Sequence, residues 1–179
     1  VYYGLMYLAK NAKKEVKIHT PYIICNDYMY NELKNIKVPT TIMTNSAENN
    51  GNIFGAVDYL NHKKDIINTG VTIKEYEGGI SYHGKSMTID DDIAIVGSFN
   101  MDMRSAYIDT ELMLVINSKD INKQLKASME EYEKKAATVK NETEYSHIPE
   151  GMKMKELSDK KKNIKAWFGW AMNGLRFLF

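Results

Sequence analysis

The spacing of apolar positions changes several times along the first 137 residues. Apolar residues that recur every three or four positions predict amphipathic helices. The predicted helices cover residues 2–10, 27–35, 53–67 and 119–137. Short β-branched and apolar runs between them predict buried strands. The predicted strands cover residues 16–19, 40–43, 71–76, 85–89, 93–96 and 112–116.

The order of these elements predicts the fold class. Strands alternate with helices at first, and a tight link at Asp90, Asp91 and Asp92 then joins two strands as a hairpin. That order is typical of an α/β fold in which helices flank both faces of a mixed β-sheet. We assign residues 1–137 to this domain. Residues 138–179 are assigned to a polar linker followed by an amphipathic, aromatic C-terminal segment.

Composition narrows the class of protein. A chain of 179 residues that is 44% hydrophobic and 26% charged is typical of one soluble globular domain. Its net charge of +1 gives no general field to hold a polyanion, which argues against a nucleic-acid partner. The single cysteine, Cys25, excludes an intrachain disulfide and favours a reducing compartment. Arg104 and Arg176 are the only arginines, so bidentate recognition of phosphate by arginine can involve at most these two.

A set of residues in the middle of the chain has a spacing that suits phosphate chemistry. The set consists of His83, Lys85, Asp90, Gly97, Ser98 and Asn100. His83 and Lys85 lie two positions apart, so on a strand both side chains point to one face and can contact one phosphate. Ser98 and Asn100 repeat this spacing and add hydrogen-bond donors. The imidazole can attack phosphorus or carry a proton, while Lys85 offsets negative charge on the oxygens.

This spacing resembles the HKD motif of the phospholipase D superfamily, H-x-K-x4-D-x6-G-S-x-N, without a mismatch. Residues 19–22, 44–46, 76–77 and 97–111 are also similar to the second half of bacterial cardiolipin synthase-like proteins. The resemblance covers about residues 1–135. It implies one repeat of the phospholipase D-like fold and an enzyme that needs neither a cofactor nor a metal.

The resemblance also implies a role for each matching residue. His83 would be one of two catalytic histidines, and Glu111 the carboxylate that orients its imidazole. Lys85, Ser98 and Asn100 would bind phosphate. Asp90 belongs to the catalytic motif, and its role would be mainly structural. In most relatives the second-half histidine is the general acid that protonates the leaving alcohol, and the other half's histidine forms the phosphoenzyme.

Three positions depart from the pattern of most relatives. Gly84 stands where alanine is frequent, Met103 where proline is frequent, and Asp109 where asparagine is usual. None of them is expected to touch the reacting atoms. The Asp109 carboxylate either raises the pKa of a nearby histidine or points into solvent, and the second alternative is favoured.

The chain contains only one copy of the motif, so it supplies half of an active site. Either a second half lies upstream in the same protein, or two copies pair about a twofold axis and bring two His83 side chains together. We favour a fragment of a longer protein. The partners expected are therefore a second HKD half, a phospholipid substrate and a membrane surface, at the bacterial cytoplasmic membrane.

Three functions compete at this stage. The favoured one is a phosphatidyltransferase or phosphodiesterase that acts on phospholipid through a phosphohistidine intermediate. The second is a homodimeric nuclease with the same chemistry, against which the near-neutral charge argues. The third is a non-catalytic module with a degenerate fold, against which the intact motif argues.

The C-terminal segment, residues 165–179, is dense in tryptophan and phenylalanine and follows a run of lysines. It is too short and too interrupted to span a bilayer. Two alternatives are equally favoured. It forms an interfacial helix on a membrane, or it packs on this domain or on the other half.

Overall fold

The computed structural model describes residues 1–168, Gly174 and Arg176. Its helices are α1 (Tyr2–Lys10), α2 (Asp27–Lys34), α3 (Ile53–Ile67), α4 (Met103–Tyr107), α5 (Lys119–Glu133) and α6 (Asp159–Phe168). Its strands are β1 (Val16–His19), β2 (Ile23–Ile24), β3 (Thr40–Asn45), β4 (Thr72–Tyr76), β5 (Ser86–Ile89), β6 (Ile93–Gly97), β7 (Met101–Asp102), β8 (Met113–Asn117), β9 (Ala136–Val139) and β10 (Tyr145–His147).

Eight of these strands form one mixed sheet in the part of the chain that the structure describes. Its order is β10-β9-β4-β3-β1-β5-β6-β8. The three central strands β4, β3 and β1 run parallel, and every other pairing in the sheet is antiparallel. Strands β2 and β7 form a separate parallel pair. The mixed α/β sheet predicted from the sequence is confirmed.

Strand β1 shows how helices come to cover both faces of the sheet. Val16 and Ile18 point into the main core, which also contains buried side chains of α1 and α2. Lys17 points to the opposite face, where its Nζ atom lies 3.3 Å from the Glu130 carboxylate of α5. Because side chains alternate along a strand, this pattern places α1 and α2 on one face and α5 on the other.

Polar side chains fix where the helices begin. Asn26, Asn52, Asp102 and Ser118 precede α2, α3, α4 and α5, and each side chain accepts a hydrogen bond from a backbone N–H in the first turn. Such caps satisfy donors that the helix itself leaves unpaired. Asn26 therefore caps α2, whose helical spacing the sequence predicted over residues 27–35.

The chain after α5 differs from the prediction. The sequence predicted a helix to residue 137 and a linker from residue 138, whereas α5 ends at Glu133 and both β9 and β10 join the sheet. Ala136 and Ala137 favour a helix by propensity, but both are buried where β9 pairs with β4. Tertiary pairing overrides local preference here. The boundary between domain and C-terminal segment stays a prediction.

Short elements were not predicted either. Strands β2 and β7 have two residues each and α4 has five, which is below the length at which periodicity is readable. Within the described ranges, no helix has the length and apolar content needed to cross a membrane.

Candidate active site

His83 and Lys85 lie in the segment that leads into β5. The Lys85 Nζ atom lies 2.8 Å from His83 Nδ1 and 2.8 Å from the His83 carbonyl oxygen. The sequence placed both residues on a strand, whereas β5 begins at Ser86. The pairing with β6 still reaches Lys85, because the Gly97 N–H donates to its carbonyl oxygen at 3.2 Å. This bond brings the start of the Gly97–Ser98 turn beside the imidazole and the ammonium.

Burial and the charge of Lys85 both disfavour protonation of His83. Burial lowers the pKa of His83, and the Lys85 ammonium lowers it further. Burial also lowers the pKa of Lys85, and the carboxylates of Glu111 and Asp102 partly oppose that shift. The site therefore favours a neutral imidazole, the form that acts as a nucleophile or a base.

Ser98 and Glu111 form a second group beside this pair. The Ser98 hydroxyl donates to the Glu111 carboxylate. The Ser98 N–H donates to the Leu112 carbonyl oxygen at 2.9 Å, and the Leu112 N–H donates to Ser98 Oγ at 3.0 Å. These bonds fix the serine against the start of β8.

A further serine, Ser105 of α4, joins Asn100 to the same carboxylate. Its hydroxyl donates to Glu111 Oε1 at 2.8 Å and lies 3.4 Å from the Asn100 side-chain nitrogen. The carboxylate of Glu111 is thus bonded to two serine hydroxyls, while the His83 ring is bonded to Lys85. The role of Glu111 in orienting the His83 imidazole stays a prediction.

Gly97 lies where strand β6 closely approaches the start of β8. A Cβ at this position would lie 2.1 Å from the Leu112 carbonyl oxygen and 2.8 Å from Met113 Cα. Any other residue would collide with β8, so this glycine allows the close approach of two strands.

Asp90 lies at the opposite end of β5 from His83, apart from the other motif residues. Its carboxylate accepts hydrogen bonds of 2.7–3.2 Å from the backbone N–H groups of Lys13, Lys14 and Glu15. Burial raises the pKa of Asp90, but these three bonds outweigh it, so the net shift is downward. The residue holds the link between α1 and β1 against the β5–β6 turn, where its own φ is +52°.

Both arginines are paired with aspartates. Arg104 Nε lies 3.0 Å from the Asp109 carboxylate in an exposed pair. The Arg176 guanidinium contacts Asp58 at 2.6 and 3.1 Å, and it also donates to the Cys25 carbonyl oxygen at 2.8 Å. Of the two alternatives for Asp109, the structure places its carboxylate beside Arg104.

Residues 5–132 match the family described as "Cardiolipin synthase, PLD-like domain". The chain belongs to this family. Cardiolipin synthase 1 of Staphylococcus epidermidis is 31% identical over 157 residues, which are 86% of this chain and 31% of that protein. A cardiolipin synthase of Staphylococcus aureus is 32% identical over 127 residues, which are 69% of this chain and 25% of that protein. The chain thus spans between a quarter and a third of the length of these curated relatives.

Solved structures share the fold of this phospholipase D-like domain. Phosphatidylserine synthase of Haemophilus influenzae superposes with a TM-score of 0.71 at 16% identity, over 98% of this chain and 44% of that one. Nuc of Salmonella typhimurium, a phospholipase D family member, gives a TM-score of 0.62 at 15% identity, over 77% of this chain and 90% of that one. The phospholipase D-like fold expected from the motif is confirmed.

Sequence reasoning missed two polar residues of this phospholipase D-like site. Ser105 bonds to Glu111, and Asp102 is 2% exposed and accepts from the Ser105 N–H at 2.5 Å. Burial raises the pKa of Asp102. The signal available in the sequence was an Asp three residues before a Ser, which is a typical helix cap. No group of three or more His, Cys, Asp or Glu side chains among the described residues is placed to hold a metal ion.

Proposed function

We propose that this chain is the HKD-bearing half of a phosphatidyltransferase or phosphodiesterase that acts on phospholipid through a phosphohistidine intermediate. The observation that carries the proposal is the contact between His83 and Lys85, with Ser98 and Glu111 beside them, in a chain of the cardiolipin synthase family. An imidazole, an ammonium and a hydroxyl at one surface suit a phosphodiester, whose single negative charge and oxygens need such partners.

In the proposed reaction, the histidine of the other half attacks phosphorus. The bond from phosphorus to the leaving alcohol breaks, and His83 donates the proton that this alcohol requires. An acceptor hydroxyl then gives its proton to His83 and displaces the phosphohistidine, which restores both histidines. Lys85, Ser98 and Asn100 hold the phosphate oxygens during both steps, and Glu111 orients polar groups around them.

The low pKa of free His83 fits this sequence of steps. A bound phosphodiester brings a negative charge to Lys85, which offsets the ammonium that disfavours the imidazolium. Substrate binding therefore promotes the protonated form that a general acid needs. Release of the first alcohol leaves the neutral form that the second step needs.

The partner required is a second HKD half, which we place elsewhere in the same protein. The short span relative to the curated relatives supports this choice over two copies of one chain. Apolar side chains are exposed next to Ser98, with Leu112 78% and Leu114 58% exposed. Such a surface favours a protein partner over solvent.

We further propose that the protein works at the bacterial cytoplasmic membrane, since its substrate resides there. The prediction for the C-terminal aromatic segment concerns mainly residues 169–173, 175 and 177–179, which lie outside the described residues. Lys161 and Arg176 contact the domain, whereas Trp167 is 82% exposed. Vesicle flotation with and without residues 165–179 tests the membrane contact, and unchanged binding would argue against an anchor.

The test of the function is product analysis by mass spectrometry. The full-length protein is incubated with phosphatidylglycerol vesicles, and separately with single-stranded DNA, in the presence of a chelator. We expect cardiolipin and glycerol from the lipid. Cleaved DNA together with unreacted lipid would replace this proposal with a nuclease.

The variant His83→Ala in the full-length protein tests the role of the imidazole. We expect loss of turnover with both lipid and soluble phosphodiesters, because His83 is the group proposed to transfer the proton. The fold is expected to stay intact, as His83 is exposed. Circular dichroism provides that control, and near-normal turnover would remove His83 from the mechanism.

A further inference from the structure

Two cavities of different character meet at His83. The larger, of about 620 Å³, lies between the segment before β5 and helix α5. Apart from His83 and Lys85, its walls are mainly apolar or aromatic. The side chains that matter here are Tyr76, Tyr82, Val96, Leu125, Met129 and Tyr132. This volume lies within the range of about 300–1,000 Å³ typical of cavities that hold small organic ligands. We call it the apolar cavity.

Aromatic contacts hold one wall of the apolar cavity in place. The rings of Tyr82 and Tyr132 meet edge to face with centroids 4.8 Å apart, and Tyr76 contacts both at 5.9–6.0 Å. The Tyr82 backbone N–H is fixed by the Asn45 side chain at 2.8 Å. A wall held on several sides is formed before a ligand arrives, so little ordering cost is left for binding.

Gly84 makes room for this wall. A Cβ at position 84 would lie 2.3 Å from the Tyr82 hydroxyl oxygen and 2.6 Å from its ring carbon Cζ. An alanine here would therefore push the Tyr82 ring out of this position. The glycine thus allows the aromatic wall to lie next to His83.

The second cavity, of about 390 Å³, also borders His83 and Ser81. Its walls combine Pro21 and Tyr22 with the amide side chains of Asn50 and Asn52. The phosphodiester of a phospholipid joins an apolar diacylglycerol to a polar alcohol. A phosphate held at His83 and Lys85 can therefore extend its apolar substituent into the apolar cavity and its alcohol towards the Asn50 and Asn52 amides.

We propose that the apolar cavity binds the acyl-ester end of the phospholipid and so determines which phosphodiesters the site accepts. This inference rests on the proposed function and adds to it a binding site for the apolar part of the substrate. Packing contacts of the hydrocarbon with Leu125, Met129 and Tyr132 hold this end of the lipid in place. The contact of the same cavity with His83 places the phosphorus within reach of the imidazole.

Two neighbouring positions on α5 provide a matched test. Ser128 is exposed and lines the apolar cavity, whereas Ala127 is exposed and does not line it. Ser128→Phe fills the cavity from the helix side, and Ala127→Phe adds the same ring outside it. In the full-length protein, kcat/KM is measured for dioleoyl-phosphatidylglycerol in mixed micelles and for bis(p-nitrophenyl) phosphate, a small soluble diester.

We expect Ser128→Phe to lower kcat/KM for the lipid by roughly tenfold or more while the soluble diester is still turned over normally. Ala127→Phe should change neither. Ile80 provides a second variant, since this rim residue is 83% exposed and Ile80→Glu disturbs no packing. It should lower lipid turnover alone, because a carboxylate at the mouth repels an acyl chain.

The outcomes separate the two proposals. A wild type that turns over the lipid, with Ser128→Phe and Ile80→Glu equally active on it, would overturn the binding site and leave the proposed function standing. An equal loss on lipid and soluble diester would also overturn the binding site, since it would point to general damage. A wild type that turns over only the soluble diester would overturn both.

Discussion

At the scale of single residues, the contact between His83 and Lys85 sets the chemistry of the site. The ammonium lies against the imidazole and disfavours its protonation, in addition to the larger effect of burial. A lysine at this position therefore does more than bind a phosphate oxygen, because it also keeps the free imidazole neutral.

The variant Lys85→Met tests this coupling. Burial and the Lys85 charge both lower the pKa of His83 from 6.5, so removal of the charge should raise it towards that value. NMR titration of the His83 ring protons measures the change. Lys123→Met, on an exposed position of α5, is the control and should leave the pKa as it is. A His83 pKa that does not move in Lys85→Met would contradict the coupling.

Asp90 illustrates a motif residue whose effect is on stability. Asp90→Asn keeps the size of the side chain and tolerates a positive φ, but it removes the charge that three backbone N–H groups contact. We expect the free energy of unfolding to fall by about 1.5–3 kcal/mol. Urea unfolding measures this loss. Turnover per folded molecule should persist. Loss of that turnover would show that Asp90 takes part in catalysis.

The spacing of the motif predicted some of the contacts in the site but not others. Spacing alone predicted that His83 and Lys85 lie together, because a two-residue step along an extended chain is local geometry. The bond from Ser105 to Glu111 crosses from α4 to the start of β8, and no local pattern encodes it. The remote position of Asp90 also depends on how the chain folds back on the α1–β1 link.

At the scale of elements, α5 is tied to the sheet by a buried carboxylate. Glu133 contacts His19 Nε2 at 3.2 Å and Lys74 Nζ at 2.5 Å, which links the end of the helix to β1 and β4. Burial raises the pKa of Glu133, but bonds from His19 and Lys74 outweigh it and lower the pKa to about 2. The same helix forms one wall of the apolar cavity, so this tie also fixes the cavity's width.

Glu133→Gln should destabilise the protein by about 3 kcal/mol near neutral pH, because it leaves Lys74 without its counter-charge. The ionised carboxylate stabilises the fold fully above its usual pKa of 4.5, and that contribution is lost as the pH falls towards 2. The stability difference between wild type and variant should therefore shrink over this range. Unfolding curves recorded across it measure the effect, and a difference independent of pH would contradict it.

The end of α5 also marks a limit of prediction from sequence. The helical spacing of α5 was readable, but its end was not, because Ala136 and Ala137 suit a helix as well as a strand. Residues 136–139 form strand β9 because they pair with the edge of β4. A polar segment such as Tyr145–His147 likewise becomes a strand because β9 is there to pair with it.

At the scale of the whole molecule, helix α6 is fastened to the loop that borders the second cavity at His83. The buried Lys161 ammonium donates to the carbonyl oxygens of Ala47, Glu48 and Asn50 at 2.5–3.0 Å. Asn50 also lines the cavity next to His83. A helix more than a hundred residues away in sequence therefore stabilises one side of the candidate site.

Lys161→Met should loosen this loop, since three buried carbonyl groups lose their donor. Hydrogen exchange followed by mass spectrometry is expected to show faster exchange over residues 46–52 and unchanged exchange in β5 and β6. Lys162→Met, at an exposed position of the same helix, is the matched control. Equal exchange in both variants would mean that the loop holds its shape without Lys161.

Among the residues that the structure describes, strand β8 ends the sheet and pairs with β6 alone. Leu114 and Val115 on this strand are 58% and 47% exposed. An open strand edge with apolar side chains is a template for a strand from any other chain, which makes it a site of aggregation. If the two halves belong to one polypeptide, the linker between them keeps the other half close to this edge at a high effective concentration. The other half then covers the edge before another chain can pair with it. Covalent linkage of the halves would then protect solubility as well as complete a catalytic pair.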